Sequence, residues 1–331
     1  MSSRNPLKEI TLLILTLFGT LGIVVCMILL YKLSPEKNSG NSANCKNFPT
    51  GLFNYGGSTT WAPIRRDVDP VIQKICPQFQ LRYTDHPIKK PGSGTGIEML
   101  LNNQLDFSQS SRSIKPEEQQ TAQQKGFSLK EIPVAIDGIA IAINPQLKLP
   151  GLTVEQLKQI YTGQITNWNQ VGGIDLKIIP YSRRKEDAGT VEFFVENVLQ
   201  KEEFGENVEY VYSTTDGLQK VAKNIGGIYY ASAPEVVGQC QVNPLPLINQ
   251  SQQIIPPYKE PFVPPEKCPN QRNSLNASAF KTGEYPITRK LFVIIMENNA
   301  IQQQGGEAYA NWLLTNEAQL LIEKVGFVKV R

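Results

Sequence analysis

Histidine is almost absent from this sequence: His86 is the only one among 331 residues. That leaves almost no room for His-rich metal sites or for His-centred acid–base machinery. Excess charge of either sign is absent too. Lys+Arg 33 against Asp+Glu 30 gives a formal net charge of +3, and charged residues make up 19%. The segment through Leu33 holds Arg4, Lys8 and Lys32 against Glu9, which is +2 of that total and leaves +1 for the rest. So even a balance excludes a general nucleic-acid or anionic-membrane surface, and leaves room for a small, local anion site. There is no G-x-x-x-x-G-K-[ST], no G-x-G-x-x-G after a strand, no G-x-S-x-G elbow and no H-E-x-x-H. No repeat period is visible. With 40% apolar residues, 25 Gly and 23 Pro, the composition is globular, and the length suits about two ordinary domains.

What the chain does have begins with an apolar run. Ile10 to Leu30 carries no charge, and at roughly 1.5 Å per helical residue it can span a bilayer. It is long for the apolar core of a cleavable signal, and no A-x-A-like site follows it. Val24 and Val25 precede Cys26 where a lipoprotein signal has small residues. The run is read as an uncleaved anchor, with a removed signal as the alternative. Beyond it lie Cys45, Cys76, Cys240 and Cys268, an even set without the close pairs of zinc or redox motifs. Sequence proximity suggests the pairings 45–76 and 240–268, although four cysteines allow three connectivities. Two disulfides imply an oxidising, extracytoplasmic compartment, with four buried free thiols as the alternative.

Ser34 to Asn47 is a polar stretch without period, suited to a tether. After it, strand-like runs alternate with helical patterns, which means an α/β fold. The strands are expected at Ile132–Ile143, Leu176–Tyr181, Gly227–Ala231 and Lys290–Met296. Val191, Phe194, Val195, Val198 and Leu199 mark one helical face, and Thr153 with Gln156 forms a capping box. Tyr309, Trp312, Leu313, Leu320 and Leu321 form a broken helical pair ended by Gly326. Asn249–Glu284, rich in Pro, Asn, Gln and Ser, reads as an irregular insertion held by the 240–268 bridge.

Four segments place Gly and small hydroxyl residues directly before a helical pattern: Gly56–Thr60, Gly92–Gly96, Asp187–Thr190 and Ser213–Asp216. A helix start offers unpaired N–H groups and partial positive charge, glycine lets an anion approach, and Ser or Thr adds a donor. Each alone is an ordinary N-cap, and Ser213–Asp216 reads best that way. Several together can converge on one anion. Two arginine-bearing runs, Ser110-Ser111-Arg112-Ser113 and Ser182-Arg183-Arg184, can supply a guanidinium fork.

The ordered set GGSTTWAPI, GSGTGIEMLLNNQLDFSQSSRSI, DGIAIAINP, LTVEQLKQIYTGQITNWNQVGG and RKEDAGTVEFFVENVL resembles the phosphate-binding, PstS-like solute-binding proteins of ABC transporters. GGIYYA, YPITRKLFV and NEAQLLIEKVGFVKV extend the likeness, which covers roughly Phe53 to Val330 apart from the Pro-rich insertion. Ile160 to Gly172 is its most specific piece. The resemblance implies a type II periplasmic-binding fold: two α/β lobes, two crossover strands, and phosphate in the cleft. Carried over by position, the phosphate ligands are Thr59, Thr60, Ser93, Arg184, Gly189 and Thr190, and the expected site also takes in Gly94, Ser111, Arg112 and Asp137.

Two departures stand out. Ala188 replaces the serine of the family's Arg-x-x-x-Ser-Gly-Thr signature, and Ser111 stands where some members have an aspartate that accepts the proton of hydrogen phosphate. Asp137 is the expected replacement acceptor and Asp106 the second choice, with a structural carboxylate as the alternative for both. Arg112 can offset the lost donor. The expected layout is a cytoplasmic N-terminus (1–9), a transmembrane anchor or signal-anchor (10–33), a linker (34–47), lobe 1 (48–133 and 285–331), lobe 2 (134–248) and the insertion (249–284). The expected protein is a monomeric, single-pass protein of the cell (inner) membrane, its body in the periplasm or outside the cell. It binds inorganic phosphate for an ABC permease or a sensor. Catalytic residues, metal ligands, cofactors and nucleic acid are not expected. The alternatives are another oxyanion or a non-transport signalling module in the same fold and, more distantly, an extracytoplasmic phosphatase.

Overall fold

A computed structural model describes residues 45–184 and 189–330. The apolar run at 10–30 lies outside them. Among the described residues no helix is long and apolar enough to cross a membrane.

The chain opens with β1 (Gly51–Gly57), two short helices, α1 (Ala62–Asp67) and α2 (Asp69–Ile75), then β2 (Phe79–Tyr83). Helix α3 (Ser93–Leu101), β3 (Phe107–Ser110) and α4 (Pro116–Gln124) follow. They lead into β4 (Ser128–Ile143), a strand of 16 residues. Its apolar run is continuous from Ile139 because both faces are covered there. Next come β5 (Leu152–Thr153), α5 (Val154–Tyr161), β6 (Ile179–Ser182) and α6 (Gly189–Asn197). Then β7 (Glu209–Tyr210), α7 (Thr214–Lys223), β8 (Gly227–Ser232) and α8 (Ala233–Val236) precede β9 (Asn243–Leu245), β10 (Leu247–Ile248) and β11 (Ile254–Ile255). The chain closes with α9 (Ala277–Thr282), β12 (Thr288–Glu297), α10 (Ile301–Leu313) and α11 (Asn316–Lys324).

The main sheet runs β2-β1-β3-β12-β4-β8-β6-β7, with β9 also on β4. The mixed α/β class expected from the alternation is the one observed. β4 has two partners in succession. Its residues 128–138 pair antiparallel with β12, and Ile139–Ile143 pair with β8. The sheet therefore has two halves that meet at the middle of β4. β1, β2, β3 and β12 stand on one side, and β6, β7 and β8 on the other.

Local signals explain most elements. Thr153 accepts from the Gln156 amide at 3.1 Å while Gln156 accepts from the Thr153 amide at 2.9 Å, the reciprocal cap that starts α5. Phe194 and Val195 on α6 are buried, and Tyr161, Phe194 and Tyr230 stack into one core. Gly326 has φ +95°, which a side chain resists, and it ends α11. One face was misread. Leu320 is 60% exposed, and Ala318, Gln319 and Ile322 are the buried positions of α11. Residues 249–284 are mostly irregular but include β11 and α9, whose Phe280 is buried against Gly138 of β4. Cys240 and Cys268 are bonded, with Cα atoms 5.7 Å apart, and Cys45 and Cys76 are each disulfide-bonded as well.

A buried polar group underlies the first half. Asp69 accepts the hydroxyls of Tyr55 at 2.6 Å and Tyr309 at 2.7 Å, and Tyr309 also accepts from Gln109. Burial pushes the Asp69 carboxyl up to about 6, against the pull of those two hydroxyls. The group fixes β3 beneath the loop that follows β1.

Candidate functional site

Three serines from three segments meet at one point. Ser58 follows β1, Ser93 starts α3 and Ser111 follows β3; all are fully buried. The Ser58 hydroxyl donates to Ser111 Oγ at 2.9 Å, and the Ser93 and Ser111 hydroxyls lie 3.2 Å apart. The Ser111 amide donates to Ser93 Oγ at 3.0 Å. A close backbone approach makes the meeting sterically feasible. A side chain at Gly96 would come within 2.5 Å of the Gly57 Cα, so only glycine lets α3 reach the β1 loop. Arg65 holds that loop from below, donating to the Ser58 carbonyl at 3.0 Å and to Gln109 at 2.9 Å. Trp61 Nε1 donates to the Ser110 carbonyl at 3.0 Å.

The fourth component comes from the other half of the sheet. A Cβ on Gly189, the first residue of α6, would lie 3.2 Å from Ser111 Oγ, 3.4 Å from Ser93 Oγ and 3.5 Å from Ser58 Oγ. The starts of α3 and α6 thus face one another across three hydroxyls. Both helices have nine residues, and their first-turn N–H groups bring partial positive charge to this point. Three hydroxyls and two helix starts gather hydrogen-bond donors at one point, the kind of grouping that suits an oxyanion. A bound oxyanion would take over the hydrogen bonds that the serines now make to one another.

Arg289 joins the two halves. It lies on β12 opposite Asp137 of β4, at the crossover. Its Nη2 donates to Asp137 Oδ2 at 2.8 Å, Thr60 Oγ1 at 3.0 Å and Thr190 Oγ1 at 2.9 Å, and its Nε donates to Asp137 Oδ2 at 3.0 Å. Nη1 is buried without a hydrogen-bond partner. The two threonine oxygens, 3.5 Å apart, accept from the guanidinium, so their own protons are free to point elsewhere. Arg289 was not anticipated, although the strand held a signal. Ile287 just before β12 and Arg289 and Leu291 within it are buried, with Lys290 exposed, and a charge in an apolar phase needs a buried partner. Ser58, which donates to the central Ser111, was also not among the expected ligands.

The sequence-predicted residues divide into four groups. Thr60, Ser93, Ser111, Gly189 and Thr190 come together. Thr59 lies one residue outward, lining the cavity described below, and Gly94 lies on α3 beside Arg112 Nη2, 3.3 Å from its would-be Cβ. Asp137 is placed otherwise than expected. Its Oδ1 accepts from Ser232 at 2.6 Å and its Oδ2 from Arg289, so it is the counter-ion of Arg289 rather than an open proton acceptor. Burial raises its pKa, and Arg289 and Ser232 oppose the rise. Asp106 is also occupied, accepting from the Asn54 amide at 2.6 Å.

The two predicted arginines point away from the serines. Arg112 spends its donors on Glu118 at 2.7 and 2.9 Å, on the Ser113 carbonyl at 2.8 Å and on Glu192 at 3.2 Å. Two carboxylates outcompete a ligand for its fork. Arg184 is exposed and stacks on Tyr210, 5.1 Å from the ring centroid, so the cation–π contact takes it outward. Ala188 lies outside the described residues. Ser213 is the plain cap it resembled, accepting from the Asp216 amide at 3.1 Å.

Beside Thr60 and Thr190 opens a cavity of about 320 Å³, at the small end of ligand pockets. Arg183, Thr214, Tyr229, Ser232, Glu235 and Phe327 are among its walls. Glu235 is exposed at the mouth, and the crowding protein raises its pKa, helped by repulsion from Asp137 and opposed by the Thr214 hydroxyl and by Arg289. Among the described residues no group of three or more His, Cys, Asp or Glu is placed to hold a metal ion.

Comparison with known proteins points to the same part of the chain. Residues 47–317 match the PBP superfamily domain. The phosphate-binding protein PstS of Staphylococcus saprophyticus is 27% identical over 317 residues, 94% of this chain and 89% of that protein. PstS of Staphylococcus haemolyticus is 29% identical over 237 residues, 70% of this chain and 69% of that protein. Among solved structures, a putative phosphate ABC transporter substrate-binding protein with bound phosphate from Clostridium perfringens superposes with a TM-score of 0.65 at 24% identity, covering 85% of this chain and all of that one. An ABC-type phosphate transport receptor from Vibrio cholerae gives 0.65 at 23% identity, over 83% and 99%. The fold and the matched span agree: this chain belongs to the PBP superfamily.

Proposed function

We propose that the chain is an extracytoplasmic solute-binding protein that takes inorganic phosphate between two lobes, for an ABC-type permease or for phosphate sensing. The observation that carries this reading is the convergence of Ser58, Ser93 and Ser111 on Gly189. In it, phosphate accepts from the three serine hydroxyls, from the threonines that Arg289 orients, and from the N–H groups that start α3 and α6. Arg289 balances charge from behind the threonines, with Asp137 fixing its plane. Residues 48–133 with 285–331 act as one lobe and 134–248 as the other, turning about the crossover of β4 and β12. Residues 249–284 are an appendage to the second lobe. The PstS relatives support the ligand, and the bonded cysteines support the compartment.

The finer topology rests on sequence. Residues 10–33 tether the body to the membrane as an uncleaved anchor, and the protein acts as a monomer without catalysis. Among the described residues the serine hydroxyls bond to one another rather than to a base.

A second reading, binding of oxyanions without regard to their protons, is favoured by one observation. Ser111 offers a hydroxyl where an acceptor carboxylate would read the proton, and Asp137 and Asp106 are both occupied. Calorimetric titration of the folded body from Asn44 onward, with phosphate and separately with sulfate, decides between them. Phosphate is expected to bind at one site per chain. Sulfate binding within about tenfold, or 1.4 kcal/mol, would select the second reading. No heat with phosphate would overturn the first.

A further inference from the structure

We propose that Arg112 and Lys115 form, with Glu192 and Glu196, an electrostatic clamp that holds the two halves closed and sets how long the ligand stays. The inference rests on the phosphate-binding reading above. Arg112 and Lys115 follow β3 in the first half; Glu192 and Glu196 lie on α6 in the second. Arg112 Nε donates to Glu192 Oε1 at 3.2 Å, and Lys115 Nζ donates to Glu192 at 3.0 Å and to Glu196 at 2.6 Å. The side chains are 7%, 29%, 20% and 26% exposed in the order Arg112, Lys115, Glu192, Glu196. These pairs are therefore shielded enough to outweigh ordinary surface salt bridges. Burial alone would lower the Arg112 pKa, yet Glu118 and Glu192 leave it raised, so the guanidinium stays a cation.

The clamp's position gives it a role. Arg112 is joined to Ser111, and Glu192 lies three residues after Gly189, so the pairs close directly beside the serine group. They are not an anion trap. Two cations face Glu118, Glu192 and Glu196, and that balance repels an anion rather than drawing it in. Arg112 binds Glu118 within its own half, which aims its Nε across the gap at Glu192. An interaction made only when the halves meet slows release more than it changes capture.

Release of labelled phosphate from the protein, after dilution into unlabelled phosphate, tests the clamp. Lys115→Met and Glu196→Gln each remove a contact between halves without touching the serines, Arg289 or the Arg112–Glu118 pair. Each is expected to speed release about tenfold. Thermal midpoints without phosphate should stay within about 3 °C of wild type, a shift worth roughly 1 kcal/mol in a protein of this size. Reversing the pair, Lys115→Glu with Glu196→Lys, should bring release back toward wild type relative to Lys115→Glu alone. Unchanged release in both single variants, or a reversed pair as fast as Lys115→Glu alone, would overturn the clamp. A wild-type protein that retains no phosphate would instead bring down the phosphate reading, and the clamp with it.

Discussion

Arg289→Met is expected to abolish measurable phosphate binding and to lower unfolding stability by about 3 kcal/mol or more. The stability loss follows from Asp137, which is wholly buried and would keep only Ser232 and the Ala233 amide against its charge. The binding loss follows from Thr60 and Thr190, whose hydroxyls are oriented by Nη2 of Arg289. The two effects are separable. In Arg289→Met with Asp137→Asn the uncompensated charge is gone, so denaturant unfolding should recover much of the stability. Calorimetry should still show no phosphate binding. Recovery of both would mean that Arg289 only stabilises the crossover and contributes nothing at the site.

Gly189→Ala is expected to be the cleanest loss of function. Its backbone is helical and not left-handed, so alanine adds no backbone strain, and helix propensity favours it. Its methyl would stand 3.2–3.5 Å from all three serine oxygens, at the N–H groups of α6 that the proposed oxyanion approaches. Phosphate affinity should fall about 100-fold or more, equivalent to about 2.7 kcal/mol, while the thermal midpoint without ligand stays within about 3 °C of wild type, helix propensity offsetting the tight contact with Ser111. A Gly189→Ala protein that binds phosphate normally would show that the ligand does not approach the start of α6.

These two residues also show what the sequence could and could not convey. Gly189 was legible because its signal is local: glycine and threonine at the start of a helical face mark a helix N-terminus, and several such starts in one chain can converge on one anion. The same holds for Ser93, for the Thr153 cap and for the long apolar strand that became β4. Arg289 was not legible as a ligand-site residue, because its meaning comes from Asp137, 152 residues away and opposite it only once β4 and β12 pair. Asp137 was legible, but which of its two readings holds, proton acceptor or structural carboxylate, is decided by Arg289 for the same reason. Arg112 shows the complementary error. A guanidinium next to a serine-rich turn suits an anion, but Glu118 takes both ends of its fork from the same half, and Glu192 arrives from α6 to take Nε, which no short-range pattern announces. Arg184 stands four residues before Ala188, yet Tyr210 on the edge strand draws it away. Ser58 was within reach, since it caps the turn before Trp61, but in sequence it is indistinguishable from an ordinary cap.

The convergence of three serines and two helix starts on one oxyanion is most directly tested by locating that oxyanion. Crystals grown with arsenate, a tetrahedral analogue of phosphate whose arsenic scatters anomalously, would place it without reference to the surrounding atoms. The account predicts one anomalous peak within hydrogen-bonding reach of Ser58, Ser93 and Ser111 and of the α6 start at Gly189, with the Ser58–Ser111 hydrogen bond broken. A peak confined to the cavity beside Glu235 and Phe327, with the serines still bonded to one another, would contradict it.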